Sequence, residues 1–296
     1  MGLGPTLLLG LLAGGTILLG LPVGRLRRPA PSLRTLLNAV AVGVLLFLVW
    51  DVLSAAWEPI DTALGAVHGG HGGLGTAIGY GLLFVGGLSV GLLSLVFYER
   101  WMGRVAARAR AVPAPLNFGP GAAHVAEIAA RPTGLASWSP ARRLALLIAV
   151  GIGLHNFAEG LAIGQSAATG EIALATMLVI GFALHNATEG FGITAPLAGD
   201  IDADGQPRRP SWPFLLGLGL IGGGPTFIGT LIGHGFTAEW ISVIFLTLAA
   251  GSLIYVITQL IGVAAKAKRA DLLAYGLLIG LFAGFLTDAI VTAGGV

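Results

Sequence analysis

Two stretches repeat one pattern at an offset of 30 residues: GIGLHNFAEGLAIG from Gly151 to Gly164, and GFALHNATEGFGIT from Gly181 to Thr194. Each places a His four residues before a Glu, His155 with Glu159 and His185 with Glu189. On a helix this spacing stacks both side chains on one face, a turn apart. Both copies sit in long apolar segments, where a carboxylate at the centre of a membrane helix costs about 2.5–3.5 kcal/mol even on the permissive insertion scale. Ionisable residues kept against that cost are candidates for function. Imidazole with carboxylate is a donor set for Zn, Fe, Mn or Co, whereas Mg and Ca favour oxygen alone.

For both pairs to serve one ion, the two segments must be antiparallel neighbours, turning near Gly170. Positions 155 and 189 share the midpoint 172, as do 159 and 185. Such a hairpin sets His155 level with Glu189 and Glu159 level with His185, at about mid-membrane. Asn156 and Asn186 lie beside them with carbonyl oxygens to offer. Two carboxylates crowded in low dielectric repel one another unless a divalent cation compensates them, so metal binding is expected to release protons and to depend on pH. The competing reading of the same residues is a hydrogen-bonded clasp between helices with no ligand, since polar side chains also act as glue in membranes. Duplication at identical spacing and matched depth favours the metal.

The elements that must position these residues are helices in lipid. Of 296 residues, 55% are hydrophobic and only 10% charged, against about a quarter charged in soluble domains. The mean hydropathy is +0.87. The chain reads as an all-α membrane protein, a single transmembrane domain over residues 1–296, with eight spans near 3–22, 35–57, 74–98, 141–168, 171–198, 212–234, 240–264 and 271–293. The first lacks a basic leader and is followed by Arg25, Arg27 and Arg28, so it is expected to stay as a helix rather than be cleaved as a signal peptide. Gly makes up 48 residues, more than twice the usual share of about 7%. The spacings Gly10/Gly14, Gly87/Gly91, Gly229/Gly233 and Gly276/Gly280/Gly284 suit close helix packing, though such pairs are also common by chance in a Gly-rich chain. With no Cys, disulfides, thiolate sites and cysteine nucleophiles are excluded.

All 16 Lys and Arg fall in alternate loops. The positive-inside rule places those loops in the cytoplasm and both termini outside. The pI near 9.3 is thereby a matter of topology, and no nucleic acid is expected as a partner. The other side carries Glu58, Asp61, His68, His71, Glu171, His234 and Glu239 without a basic residue. That surface either focuses cations or is merely what remains where Lys and Arg are excluded. His68 to Gly73, HGGHGG, fits a flexible linker better than a metal-capture loop. The cytoplasmic loop 99–140 is Arg- and Ala-rich with several Pro and is expected to be partly disordered. In the loop 199–211, Asp200 to Gly205 begins a calcium-loop pattern, but position twelve is Ser211 and Pro207 intervenes, so a solvated loop is the better expectation. Asp51, Asp288, His234 and Gln259 are candidate access or accessory residues, with Asp51 and Asp288 in the outer half of their spans.

HNFAEG and HNATEG on consecutive helices, within eight spans and with extracytoplasmic termini, resemble the ZIP (Zrt-/Irt-like) family of divalent metal transporters. The likeness implies a ZIP-like bundle in the cell (inner) membrane, carrying Zn, Fe, Mn or Co inward as substrate with no prosthetic group. It implies a main site of His155, Glu159, His185 and Glu189, with Asn156 and Asn186 towards an adjoining one. It also implies a homodimer among membrane lipids, and a block of spans one, four, five and six moving against the other four. Three positions depart from the family pattern. Ala158 and Thr188 replace a Pro before each motif Glu, Gly224 stands where a Glu commonly precedes Pro225, and Gln259 stands where acidic or His residues are frequent. The second position is therefore expected to be weak or absent, in keeping with a single-site carrier, a different substrate or reduced activity. The rival classes are a membrane-embedded metalloenzyme and a non-transporting metal sensor. No HExxH motif and no separate nucleophile or oxyanion donor supports the enzyme.

Overall fold

The computed structural model describes residues 1–25, 31–110, 134–170, 172–201, 206–236 and 238–293. Arg27, Arg28, Arg131, Glu171, Asp202, Asp204 and the middle of the 99–140 loop lie outside the described residues. Eight α-helices are described: α1 (Leu3–Gly15), α2 (Pro31–His68), α3 (Leu74–Arg110), α4 (Pro140–Thr169), α5 (Ile172–Thr194), α6 (Trp212–Gly235), α7 (Glu239–Ala265) and α8 (Ala270–Ala293). Among the described residues there is no strand, only an isolated bridge between Ile201 and Pro207. Seven segments there are long and apolar enough to cross a membrane, which makes this a multi-pass membrane protein. The 23-residue α5, the fifth span expected, is not among the seven.

Helix ends follow local chemistry rather than hydropathy. Ser139 caps α4 by accepting a hydrogen bond from Arg142 N, Pro140 occupies the first turn, and Gly170 stops the helix at φ 87°. Ser211 caps α6 in the same way through Phe214 N. Where such signals are missing, helices outrun the apolar stretch. α2 continues to the His68–Gly70 turn, with Gly70 at φ 75°, and α3 continues to Arg110. At 1.5 Å per residue each is more than 50 Å long, so both project beyond a hydrocarbon core of about 30 Å.

The four Gly series all lie in helix seams. A methyl group on Gly10 or Gly14 would meet Thr230 or Gly223 of α6, and on Gly87 or Gly91 it would meet Thr247 or Leu248 of α7. Gly229 and Gly233 sit against Phe157 and Leu161 of α4, and Gly276, Gly280 and Gly284 against Ala39, Val40 and Phe47 of α2. Such contact between backbones is what small residues permit in a membrane, where apolar burial gives helices no drive to associate. The pairs 157/229 and 161/233 keep one offset, so α4 and α6 run parallel, as do α2 and α8 through 39/276, 43/280 and 47/284. α1, α4, α5 and α6 pack together, as do α2, α3, α7 and α8, with α4 on α7 and α2 on α5 joining the groups. α4 is the central element, with 78% of its membrane window buried against 11% for α3.

Candidate metal centre

The hairpin of α4 and α5 turns at Gly170 and brings the duplicated motifs face to face. Neither helix is broken at the motif, in line with Ala158 and Thr188 in place of Pro. Glu159 Oε1 is the hub, 2.5 Å from His185 Nε2 and 2.9 Å from His155 Nε2. The first contact is a hydrogen bond, whereas His155 Nε2 is close without being aligned for one. Both cross-helix levels expected from the register are present, since Glu189 Oε1 lies 4.0 Å from His155 Nε2. His155, Glu159 and His185 each offer a ligand atom, all within 4.8 Å of one another, and form the one such group found among the described residues.

This polar cluster is buried. His155, Glu189, Asn156 and Asn186 are at most 1% exposed and Glu159 is 5% exposed, while the His185 side chain, at 10%, is the most open. Asn156 donates its amide to Glu189 Oε2 at 3.1 Å and to the Gly222 carbonyl at 2.9 Å. Asn186 donates to the Ala13 carbonyl of α1 at 3.1 Å. Several buried acceptors are left without a hydrogen-bond partner: Glu159 Oε2, Glu189 Oε1, and the side-chain oxygens of both Asn156 and Asn186. Both ring nitrogens of His155 are also unpartnered. Leaving such groups buried and unpaired is costly; the ligand atoms that converge are those of two imidazoles and the Glu159 carboxylate, with Glu189 outside that group though 4.0 Å from His155, and this donor set suits a doubly charged borderline ion.

The accessory candidates divide. Asp51 and Asp288 continue the α2/α8 offset by one turn beyond Phe47 and Gly284, which sets the two carboxylates level across the seam. Asp51 is within electrostatic reach of Asp288, His185, His155 and Glu159. His234 ends α6 beside Gly164, and Gln259 is half-buried on α7; neither belongs to the cluster. Gly224 borders a groove between α1 and α6 with Leu11, Leu220 and Phe227. The α6 group that accepts from Asn156 is instead the carbonyl of Gly222, about 200° around the helix from Gly224.

Sequence reasoning missed the two backbone carbonyls, from Gly222 and Ala13, because a main-chain acceptor leaves no residue-type signal. It also placed Asp200 in a solvated loop. Asp200 is 2% exposed and accepts from Arg142 Nε at 3.0 Å, and its carbonyl accepts from Arg208 N. His68 and His71 are exposed at the α2–α3 turn. Glu239 accepts from the Tyr80 hydroxyl at 2.7 Å, and Gln165, six residues beyond Glu159 on α4, ties that helix to Phe236 and Ser242. No protein-family model matches the chain, and no curated protein matches it.

Proposed function

We propose that this protein carries divalent transition-metal ions inward across the cell (inner) membrane by alternating access, as a divergent relative of the ZIP transporters. Zn is the leading substrate, with Fe, Mn and Co sharing its donor chemistry. The observation that carries this reading is the buried cluster on α4 and α5, where Glu159 reaches both imidazoles and Glu189 keeps an oxygen unpartnered. With neutral imidazoles, two ionised carboxylates carry a charge of −2, which a divalent ion cancels. His155, Glu159, His185 and Glu189 hold the ion, Asn156 orients Glu189 and ties α4 to α6, and Asn186 ties α5 to α1. The acidic pair Asp51 and Asp288 attracts the ion towards His185, the most open ligand.

Eight spans with both termini outside follow from the arrangement of Lys and Arg, with α5 as the span that buries the second motif. The packing of α1, α4, α5 and α6 as one group supports a moving block that takes the ion with it, the others serving as scaffold. The homodimer follows from the family resemblance. Uptake of Zn, Fe, Mn and Co into proteoliposomes tests the proposal: wild type accumulates at least one of them and Glu159→Ala does not. If wild type moves none and Glu159→Ala behaves identically, the transport function is wrong.

A further inference from the structure

α4 and α7 join the two helix groups along an antiparallel seam whose packing changes from one end to the other. The pairs 144/263, 151/256, 158/249 and 165/242 advance by seven residues in opposite directions. Beside the basic loops, Leu144 and Val263 both line a cavity of about 520 Å³, with Thr35 and Asn38 of α2 and Ala195 and Pro196 beyond α5 forming other parts of its wall. One step along, a methyl group on Gly151 would meet Val256, and Ser252 Oγ donates to the Gly151 carbonyl at 2.9 Å. Level with Glu159, Ala158 and Ala249 share one buried cluster, and the rings of Phe157 and Phe245 pack 4.9 Å apart. The last pair is polar. Gln165 Nε2 donates to Ser242 Oγ at 3.1 Å, and that hydroxyl is placed to donate back to Gln165 Oε1 at 3.3 Å.

Gln165 also donates to the Phe236 carbonyl at 3.0 Å, just past the end of α6. Only three residues, Phe236 to Ala238, connect α6 of one group to α7 of the other. A single side chain of α4 is thus bonded to both sides of the shortest covalent link between the groups. Tyr80 of α3 holds the first turn of α7 through Glu239, so Ser242 stands on an element fixed to its own group. The placement of Lys and Arg makes this the outer end. For an ion to arrive from there, α4 must part from α7, and Gln165 opposes that movement. We infer that Gln165 and Ser242 form the outer clasp of the carrier, closed in this conformation while the same seam is parted at the cytoplasmic end. The inference rests on the transport function proposed above and assigns the contact that decides from which side its metal centre is reached.

Leu246→Cys puts a thiol one turn inward from Ser242, beside the Ala158 cluster, in a chain that has no Cys of its own. The rate at which a membrane-impermeant thiol reagent labels it from outside, in vesicles holding the full chain without added metal, reads the opening. Gln165→Ala or Ser242→Ala in that background should speed labelling by about 2- to 10-fold, the weight of a lost hydrogen bond. Ser242→Thr keeps the hydroxyl and should leave the rate unchanged. Unaltered labelling in both Ala variants overturns the inference, and so does equal acceleration by Ser242→Thr. In a second arm, Gln165→Cys with Ser242→Cys is bridged by a short, cleavable bifunctional thiol reagent. Zn uptake into proteoliposomes should stop with the bridge in place and return when it is cleaved; undiminished uptake by the bridged protein overturns the clasp. If wild type itself moves no metal, the transport function fails, and the labelling rates still decide whether Gln165 closes this end.

Discussion

Glu159→Gln is the most informative single change in the protein. Gln keeps the volume and one acceptor oxygen of the group that reaches both His155 and His185, and removes the charge that an ion would cancel. Loss of a residue outside the ligand shell typically weakens metal affinity 10–100-fold, so loss of a charged ligand shared by two imidazoles should cost at least about 100-fold. At a metal concentration of 100 Kd, binding stabilises wild type by about 2.7 kcal/mol. A 100-fold weaker variant at the same concentration gains about 0.4 kcal/mol by the same relation. Thermal unfolding in detergent, with and without Zn, measures both. The metal-free variant should be as stable as wild type or more so, because an uncompensated buried carboxylate has been removed. If the cluster is only a clasp, the pattern inverts. Wild type then shows no metal response, and Glu159→Gln is destabilised without metal by an amount approaching the about 3–5 kcal/mol of a broken buried pair. A variant with the full metal response of wild type would refute the assignment of Glu159 as ligand.

Three further outcomes are expected. Asp51→Asn with Asp288→Asn should lower uptake at subsaturating metal by about 10-fold, the lower end of electrostatic focusing, with less effect at saturation; initial rates at two ionic strengths check this. Gly229→Leu drives a side chain into the Phe157 backbone of α4 and should destabilise the protein by at least about 1–3 kcal/mol, read from its melting temperature. Arg142→Ala leaves the Asp200 carboxylate, 2% exposed, without its cation and should cost about 3–5 kcal/mol, while Arg142→Met with Asp200→Leu recovers most of it.

The hairpin was legible in the sequence because two identical spacings 30 residues apart determine a register. Once Gly170 is the turn, the pairing of Glu159 with His185 follows from counting, and the distances agree. The Gly series were legible because a helix seam needs small residues every four positions, and each found a neighbour's backbone or β-carbon. Helix ends were less so. Hydropathy marks where lipid stops favouring the chain, whereas α2 ends only where Gly70 adopts a positive φ. The partners of Asn156 and Asn186 were hidden, since which carbonyls of α6 and α1 face inward depends on helix rotation, which spacing within one segment does not reveal. Gly224 shows the same limit: its place before Pro225 invited comparison with a ligand position, yet rotation turns it towards a groove beside α1.

The central claim, that α4 and α5 hold a divalent ion between two imidazoles and two carboxylates, is tested most directly by X-ray absorption at the Zn edge on the purified protein. One Zn per chain is expected, with nitrogen and oxygen ligands at about 2.0–2.2 Å, two-imidazole scattering and no sulfur. His155→Ala with His185→Ala should remove that signature while the four remaining His are untouched. An unchanged spectrum in that variant, or no stoichiometric Zn in wild type, would contradict it.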